Sequence, residues 1–182
     1  MDYRRTKYCP ELIDVSQKKK EVEKLVEIEH PNAKDMHRYI SDNSQKFKLE
    51  FIKAYNGKCA YCELPLLSRN PEIDHIAPKG GKRRALHPEC TFLPFNLVYS
   101  CHNCNSTICK GQKNTVLSKN GKHNYRKWTF KIVHPYIDDP MDYFEVPVSS
   151  SGERRAYPII KKGIDREHKN KAKETIKMFG LD

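Results

Sequence analysis

Two matched cysteine pairs constrain this chain more than any other feature of its sequence. The first pair is Cys59-Ala-Tyr-Cys62 and the second is Cys101-His-Asn-Cys104. A C-x-x-C turn presents two thiolates at about 2.3 Å from a zinc ion, and two such turns complete a closed tetrahedron. Binding of this kind also contributes to folding. The pattern therefore predicts a structural Zn²⁺ ion held by Cys59, Cys62, Cys101 and Cys104, and the alternative is a redox C-x-x-C, which needs only one pair.

The spacing of the pairs shows that something is inserted between them. The 38 residues from 63 to 100 exceed the interval of about 15–20 residues that separates the pairs of a simple zinc ribbon. The first twelve residues of the chain contain no apolar segment of the kind that marks a secretory signal. We therefore expect a cytoplasmic protein, in which thiols stay reduced and a disulfide framework is not favoured.

The charge of the chain indicates a polyanionic partner. Lys and Arg number 34 and Asp and Glu number 23, which gives a net charge of +11. Solubility of a small domain needs a magnitude of only about 2–8, and a larger basic excess is typical of proteins that bind nucleic acid. Residues 75–137 contain eleven Lys and Arg against the single acid Glu89, so this window carries +10 of the total. Apolar runs are only a few residues long, which excludes a membrane span.

The inserted segment holds residues suited to hydrolysis of a phosphodiester. It contains Glu72-Ile-Asp74-His75-Ile-Ala-Pro78, and Asn105 directly follows Cys104. A histidine is mostly neutral at physiological pH, so His75 can take a proton from water. Carboxylate and amide oxygens on Asp74 and Asn105 suit Mg²⁺ or Mn²⁺, which would act as the Lewis acid. The alternative to catalysis is that Asp74 and His75 are an ordinary pair at a surface turn, and the alternative to metal binding is that Asn105 only caps a helix.

The geometry of a strand adds one expectation. Adjacent strand residues point to opposite faces, so at least one of Asp74 and His75 should leave regular strand geometry if both are to face one phosphate.

The order Cys-x-x-Cys, Asp-His, Asn-Leu, Cys-x-x-Cys-Asn over residues 58–111 resembles the zinc-stabilised branch of the HNH endonucleases. The resemblance implies an α+β fold with a small ββα-metal core, in which a hairpin and a helix grip one divalent ion. It implies that His75 is the general base and that Asp74 and Asn105 hold Mg²⁺ or Mn²⁺. It also implies that Asn96 positions the loop carrying His75 without touching the metal.

A narrower resemblance concerns partners. The runs Lys58-Cys-Ala-Tyr-Cys-Glu63 and Asp74-His-Ile-Ala-Pro-Lys79 are similar to HNH proteins of Septu-type anti-phage systems. This similarity implies a large ATPase as partner, and the wider family implies DNA in preference to RNA as substrate. Relatives often carry a lysine three residues after the final Asn or His. Here Lys110 lies five residues after Asn105, so the resemblance assigns it no direct role.

Two functions follow from these motifs. The leading one is a metal-dependent DNA endonuclease. The alternative is a non-catalytic, zinc-organised module that binds nucleic acid, for which Asp74, His75 and Asn105 would be incidental. Either function needs basic side chains near the phosphates, and we expect these to be Lys79, Lys82, Arg83, Arg84, Lys110 and Lys113.

The rest of the chain falls into three predicted parts. They are an N-terminal helical extension (1–48), the nuclease core with its zinc knuckles (49–112), and a basic linker with a C-terminal strand and helix extension (113–182). Cys90 and Cys109 are expected to pack in the core. The spacing of apolar residues predicts helices over 15–29, 43–55 and 165–179. Asp165 is the expected N-cap of the last helix, and Gly180 follows its end. Strands are predicted over 128–133 and 143–148.

Overall fold

The computed structural model describes Lys20 and residues 55–66, 71–81, 84–91, 93–121, 124–145 and 158–181. Apart from Lys20, which is helical, the N-terminal extension 1–48 lies outside the described residues, and so does the helix predicted over 43–55 except for its last residue. Among the described helices, none combines the length and hydropathy that crossing a bilayer requires.

The described chain mixes helices with short antiparallel strand pairs and holds a four-cysteine cluster, which confirms the predicted α+β class. Four short 3₁₀ turns lie between the strands and helices. In chain order the strands and helices are β1 (Glu72–His75), β2 (Gly80–Gly81), β3 (Arg84–Ala85), β4 (Leu97–Ser100), α1 (His102–Asn105), β5 (Val116–Ser118), β6 (Thr129–Phe130), β7 (Phe144–Glu145), β8 (Ile159–Ile160) and α2 (Arg166–Phe179).

The hairpin of β1 and β4, followed directly by α1, forms the centre of the described fold. The strands pair antiparallel, with Asp74 opposite Val98 and His75 opposite Leu97. All four residues of β4 are buried, as expected for an apolar strand covered on both faces. The first cysteine turn joins this hairpin because the Ala60 amide donates to the Tyr99 carbonyl at 2.9 Å. Both zinc knuckles therefore lie against β4.

The C-terminal part packs against the same core. Tyr125, Trp128, Phe130 and Ile132 belong to one buried cluster with Tyr99 and the knuckle cysteines, so apolar residues from both sides of position 112 share one interior. The Phe179 ring of α2 stacks on the Tyr61 ring with centroids 4.2 Å apart. The division of the chain at position 112 stays a prediction.

Helix α2 confirms the helix predicted over 165–179 together with both of its caps. The Asp165 side chain accepts from the His168 amide at 2.9 Å, which satisfies one of the free N–H groups at the helix start. Gly180 follows the helix with φ of +60°, a left-handed conformation that glycine adopts without steric cost.

The strand predicted over 128–133 is shorter than the pattern indicated. Strand β6 ends at Phe130. The Lys131 amide still donates to the Thr115 carbonyl at 2.8 Å, and the amides of residues 133 and 134 then find side-chain acceptors. The Val133 amide donates to Thr175 Oγ1 at 2.8 Å, and the His134 amide donates to Asp138 Oδ2 at 2.6 Å. Strand β7 covers only Phe144–Glu145 of the strand predicted over 143–148, whose last three residues lie outside the described chain.

Candidate functional site

The four paired cysteines form one buried cluster. Their Sγ atoms all lie within 4.8 Å of one another, and the Sγ atoms of Cys62 and Cys101 are 3.9 Å apart. Four sulfurs at about 2.3 Å from a zinc ion define a tetrahedron with edges of about 3.8 Å. The cluster therefore fits a single Zn²⁺ ion.

A cleft of about 570 Å³ lies beside this cluster, bordered by β1, α1 and the turn that follows α1. Asp74, His75 and Asn105 all line it, together with Lys79 and Lys110. The fold thus brings the three side chains predicted to perform the chemistry to one opening.

His75 is held by its ring nitrogen Nε2, which lies 2.9 Å from the Thr91 carbonyl oxygen. A carbonyl can only accept, so Nε2 carries the hydrogen, and in the neutral ring Nδ1 is the nitrogen that can take a proton. Burial lowers the pKa of His75 below its ordinary value, which keeps the ring in its basic form at neutral pH.

Neither Asp74 nor His75 leaves regular strand geometry, the departure expected if both are to face one phosphate. Both residues pair in register within β1. Ile73, Asp74 and His75 all line the cleft although they are consecutive. Because consecutive strand side chains point to opposite faces, residues of both faces of β1 border the cleft.

Asp74 is buried and both of its carboxylate oxygens are engaged. Tyr61 donates its hydroxyl to Oδ2 at 2.6 Å, and Lys110 Nζ donates to Oδ1 at 3.0 Å. Burial raises the pKa of Tyr61 well above its ordinary value, so the hydroxyl keeps its hydrogen and remains a donor. Tyr61 lies inside the first cysteine turn, and the sequence carries no signal that would single it out for this contact. The zinc knuckle and the carboxylate are thereby joined directly.

Lys110 does not belong to an exposed basic surface, which corrects its grouping with the phosphate-binding residues. Its side chain is 0% exposed and forms an ion pair with Asp74. The reason is the close turn after α1, in which the Lys110 amide donates to the Cys104 carbonyl at 3.1 Å and draws the side chain toward β1.

Asn105 is the last residue of α1 and not the N-terminal cap that the alternative considered from the sequence would require. Cys101 is the N-cap and Ser106 is extended, so the helix consists of one turn inside the second knuckle. Asn105 Nδ2 donates to Glu72 Oε2 at 2.7 Å. His102 Nδ1 lies 2.8 Å from Glu72 Oε1, and this hydrogen bond raises the pKa of His102. Sequence reasoning missed Glu72, although its position two residues before Asp74 places both side chains on one face of β1.

Asn96 is fully buried and makes four side-chain hydrogen bonds. Its Oδ1 accepts from the Ala77 amide at 2.6 Å and from the Tyr125 hydroxyl at 2.8 Å. Its Nδ2 donates to the carbonyls of Ala77 at 3.1 Å and Cys90 at 2.9 Å. Ala77 follows His75 by two residues, and Cys90 precedes the residue whose carbonyl binds the His75 ring. Asn96 therefore ties together the two segments that hold the imidazole.

His134 extends this buried network without lining the cleft. The Tyr136 amide donates to His134 Nδ1 at 3.1 Å, so Nε2 carries the ring hydrogen and donates to the Tyr125 hydroxyl at 3.0 Å. That hydroxyl in turn donates to Asn96. Burial lowers the pKa of His134 well below its ordinary value, which keeps the ring neutral.

The remaining predicted residues are distributed as follows. Lys79 is exposed at the cleft and Lys113 is exposed beyond it. Arg84 contributes its backbone to β3. Lys82 and Arg83 lie outside the described residues. Cys90 is buried and the half-buried Cys109 packs against the core, and burial raises the pKa of both thiols, that of Cys90 to about 12.

Comparison with known proteins gives two partial similarities, and no protein-family model matches the chain. The chain is 34% identical over 77 residues to the CRISPR-associated endonuclease Cas9 of Corynebacterium diphtheriae, a match that covers 42% of this chain and 6% of that protein. It is 29% identical over 96 residues to Protein ea31 of Escherichia phage lambda, covering 53% of this chain and 26% of that protein. The chain therefore matches only a small part of the length of each relative.

The donor atoms of the cleft fit a hard divalent cation. An ionised carboxylate offers about four lone-pair positions, of which Tyr61 and Lys110 engage one on each oxygen of Asp74. Asn105, which also lines the cleft, carries an amide carbonyl oxygen. Oxygen ligands of this kind, completed by water, are those that Mg²⁺ and Mn²⁺ accept.

Proposed function

We propose that this protein is a metal-dependent endonuclease of the HNH type that hydrolyses DNA phosphodiester bonds. One observation carries the proposal: Asp74, His75 and Asn105 line a single cleft beside the four-cysteine cluster. The similarity of the chain to a part of an endonuclease supports the same reaction class.

In this mechanism His75 is the general base. With Nε2–H bound to the Thr91 carbonyl, Nδ1 takes a proton from the water that attacks phosphorus. Asp74 and Asn105 would hold Mg²⁺ or Mn²⁺, which when bound supplies Lewis-acid stabilisation of charge on the phosphate and the leaving oxygen. Asn96 acts as a positioning residue, because it joins the segments on either side of the imidazole.

Substrate binding in this proposal rests on charge. Lys79 is exposed at the cleft, and the basic window 75–137 carries +10. Contacts from such residues go mainly to phosphates and position the duplex without reading its sequence. DNA is favoured over RNA by the sequence resemblance to HNH endonucleases. The Septu-type resemblance favours an ATPase partner in anti-phage defence.

The decisive experiment is nicking of supercoiled plasmid by zinc-loaded protein, with Mg²⁺ and Mn²⁺ titrated separately. We expect wild type to nick and His75→Ala to lose at least about 100-fold in rate, the lower end of the contribution of a general base. His168→Ala is the matched control, since this histidine lies on α2 away from the cleft and its loss should leave the rate unchanged. The proposal fails if wild type cuts neither DNA nor RNA even with a partner ATPase, or if His75→Ala cuts as fast.

One observation favours the alternative of a non-catalytic nucleic-acid-binding module. The Lys110 ammonium already neutralises the Asp74 carboxylate, as would suit a site that needs no metal. Under this alternative, DNA binding measured by fluorescence anisotropy would persist in His75→Ala while wild type shows no cleavage.

A further inference from the structure

Glu72 is the carboxylate of the cleft to which the mechanism assigns no role. Its side chain is 39% exposed, and each of its carboxylate oxygens meets a nitrogen of α1. Oε1 lies 2.8 Å from His102 Nδ1, and Oε2 lies 2.7 Å from Asn105 Nδ2. Glu72 thus bridges β1 to both ends of the single helical turn that ends with Asn105.

The chemistry of these contacts determines the orientation of the Asn105 amide. An ionised carboxylate is an acceptor only, so the atom of Asn105 that approaches it must be the NH₂ group and not the carbonyl oxygen. The amide is planar, with its nitrogen and oxygen on opposite sides of the carbon. A nitrogen directed at Glu72 therefore leaves Oδ1 directed away from it and without competition from that carboxylate.

We propose that Glu72 is a positioning residue that presents the Asn105 Oδ1 atom to a divalent cation in the cleft. This inference rests on the proposed function, because it assumes that Asn105 is a metal ligand. In this proposal Glu72 acts through the Asn105 amide, and each of its carboxylate oxygens meets a nitrogen of α1. Residues that orient metal ligands typically change affinity or activity by about 10–100-fold when removed.

The test measures Mn²⁺ affinity directly on full-length, zinc-loaded protein by electron paramagnetic resonance, in which free Mn²⁺ gives a signal that is lost on binding. Glu72→Ala removes the anchor, so the Asn105 amide can turn, and affinity should fall by about 10-fold or more. Glu72→Gln keeps a carbonyl oxygen to accept from Asn105 Nδ2 and should retain most of the wild-type affinity.

The matched control is Glu89→Gln, because Glu89 forms an exposed ion pair with Lys119 and does not line the cleft. Its Mn²⁺ affinity should equal that of wild type. Circular dichroism and zinc content confirm that each variant folds, which a half-exposed strand position allows.

Three outcomes overturn the inference. If Glu72→Ala binds Mn²⁺ as tightly as wild type, the carboxylate does not position a ligand. If Glu72→Gln loses as much Mn²⁺ affinity as Glu72→Ala, the effect comes from the charge of Glu72 on the ion and not from its hold on the Asn105 amide. In both cases the proposed function stands provided that plasmid nicking still depends on His75. If wild type neither binds Mn²⁺ nor nicks DNA, the positioning role and the proposed function fail together.

Discussion

Replacing Asn96 by alanine tests whether one buried amide holds the segments around His75. The substitution removes four hydrogen bonds, to the amide and carbonyl of Ala77, the carbonyl of Cys90 and the hydroxyl of Tyr125. At about 0.5–1.5 kcal/mol net for each bond, the free energy of unfolding should fall by about 2–6 kcal/mol. The upper part of this range is expected because the orphaned partners stay buried.

The assay is urea unfolding at a fixed free zinc concentration, followed by the fluorescence of Trp128, which is buried in the same core cluster. Asn170→Ala is the control, since Asn170 is exposed on α2 and its replacement should change stability by no more than about 0.5 kcal/mol. A second readout is plasmid nicking under conditions in which both proteins are folded, where Asn96→Ala should be slower. A loss of less than about 1 kcal/mol, within the range of a single hydrogen bond, would refute the claim that all four bonds contribute.

Two further predictions concern the zinc cluster and His134. Removing zinc with a chelator, or replacing Cys104 by serine, should unfold the knuckles, because zinc binding to such sites contributes to folding. Circular dichroism would show the loss of folded structure. An unchanged spectrum would contradict a structural role for the metal. Burial lowers the pKa of His134, so below about pH 6.5 the unfolded chain binds a proton that the folded protein excludes. The free energy of unfolding should therefore decrease as the pH is lowered below about 6.5, by up to about 1.4 kcal/mol per pH unit. His134→Asn should abolish that part of the pH dependence, measured by urea unfolding at several pH values. Equal pH dependence in the variant and wild type would contradict the assignment.

Local patterns were the most reliable guide to the fold. Helix α2 could be predicted with both of its caps because an N-cap and a left-handed glycine act within a few residues of the helix end. The predicted strand over 128–133 was too long, because the Val133 amide bonds to the Thr175 hydroxyl 42 residues further along the chain. A sequence pattern reports apolar spacing, but it does not report where a distant hydroxyl will be.

The candidate site shows the same difference between what local sequence patterns predict and what distant contacts decide. The sequence by itself determined which residues are candidates for the chemistry, since two C-x-x-C turns and an Asp-His pair are meaningful from spacing alone. The catalytic roles of Asp74, His75 and Asn105 stay predictions, whereas their presence at one cleft is a structural finding.

Only the tertiary structure decided how these groups are held. Lys110 pairs with Asp74 across 36 positions of sequence, and Glu72 meets Asn105 across 33. Asn96 reaches Tyr125 across 29. Contacts at such separations depend on how the chain reverses between the two knuckles, and the lysine that the sequence grouped with the phosphate-binding surface became part of the interior for that reason. A buried charge or amide must find a partner wherever the fold supplies one, and that partner is visible only after the chain has folded.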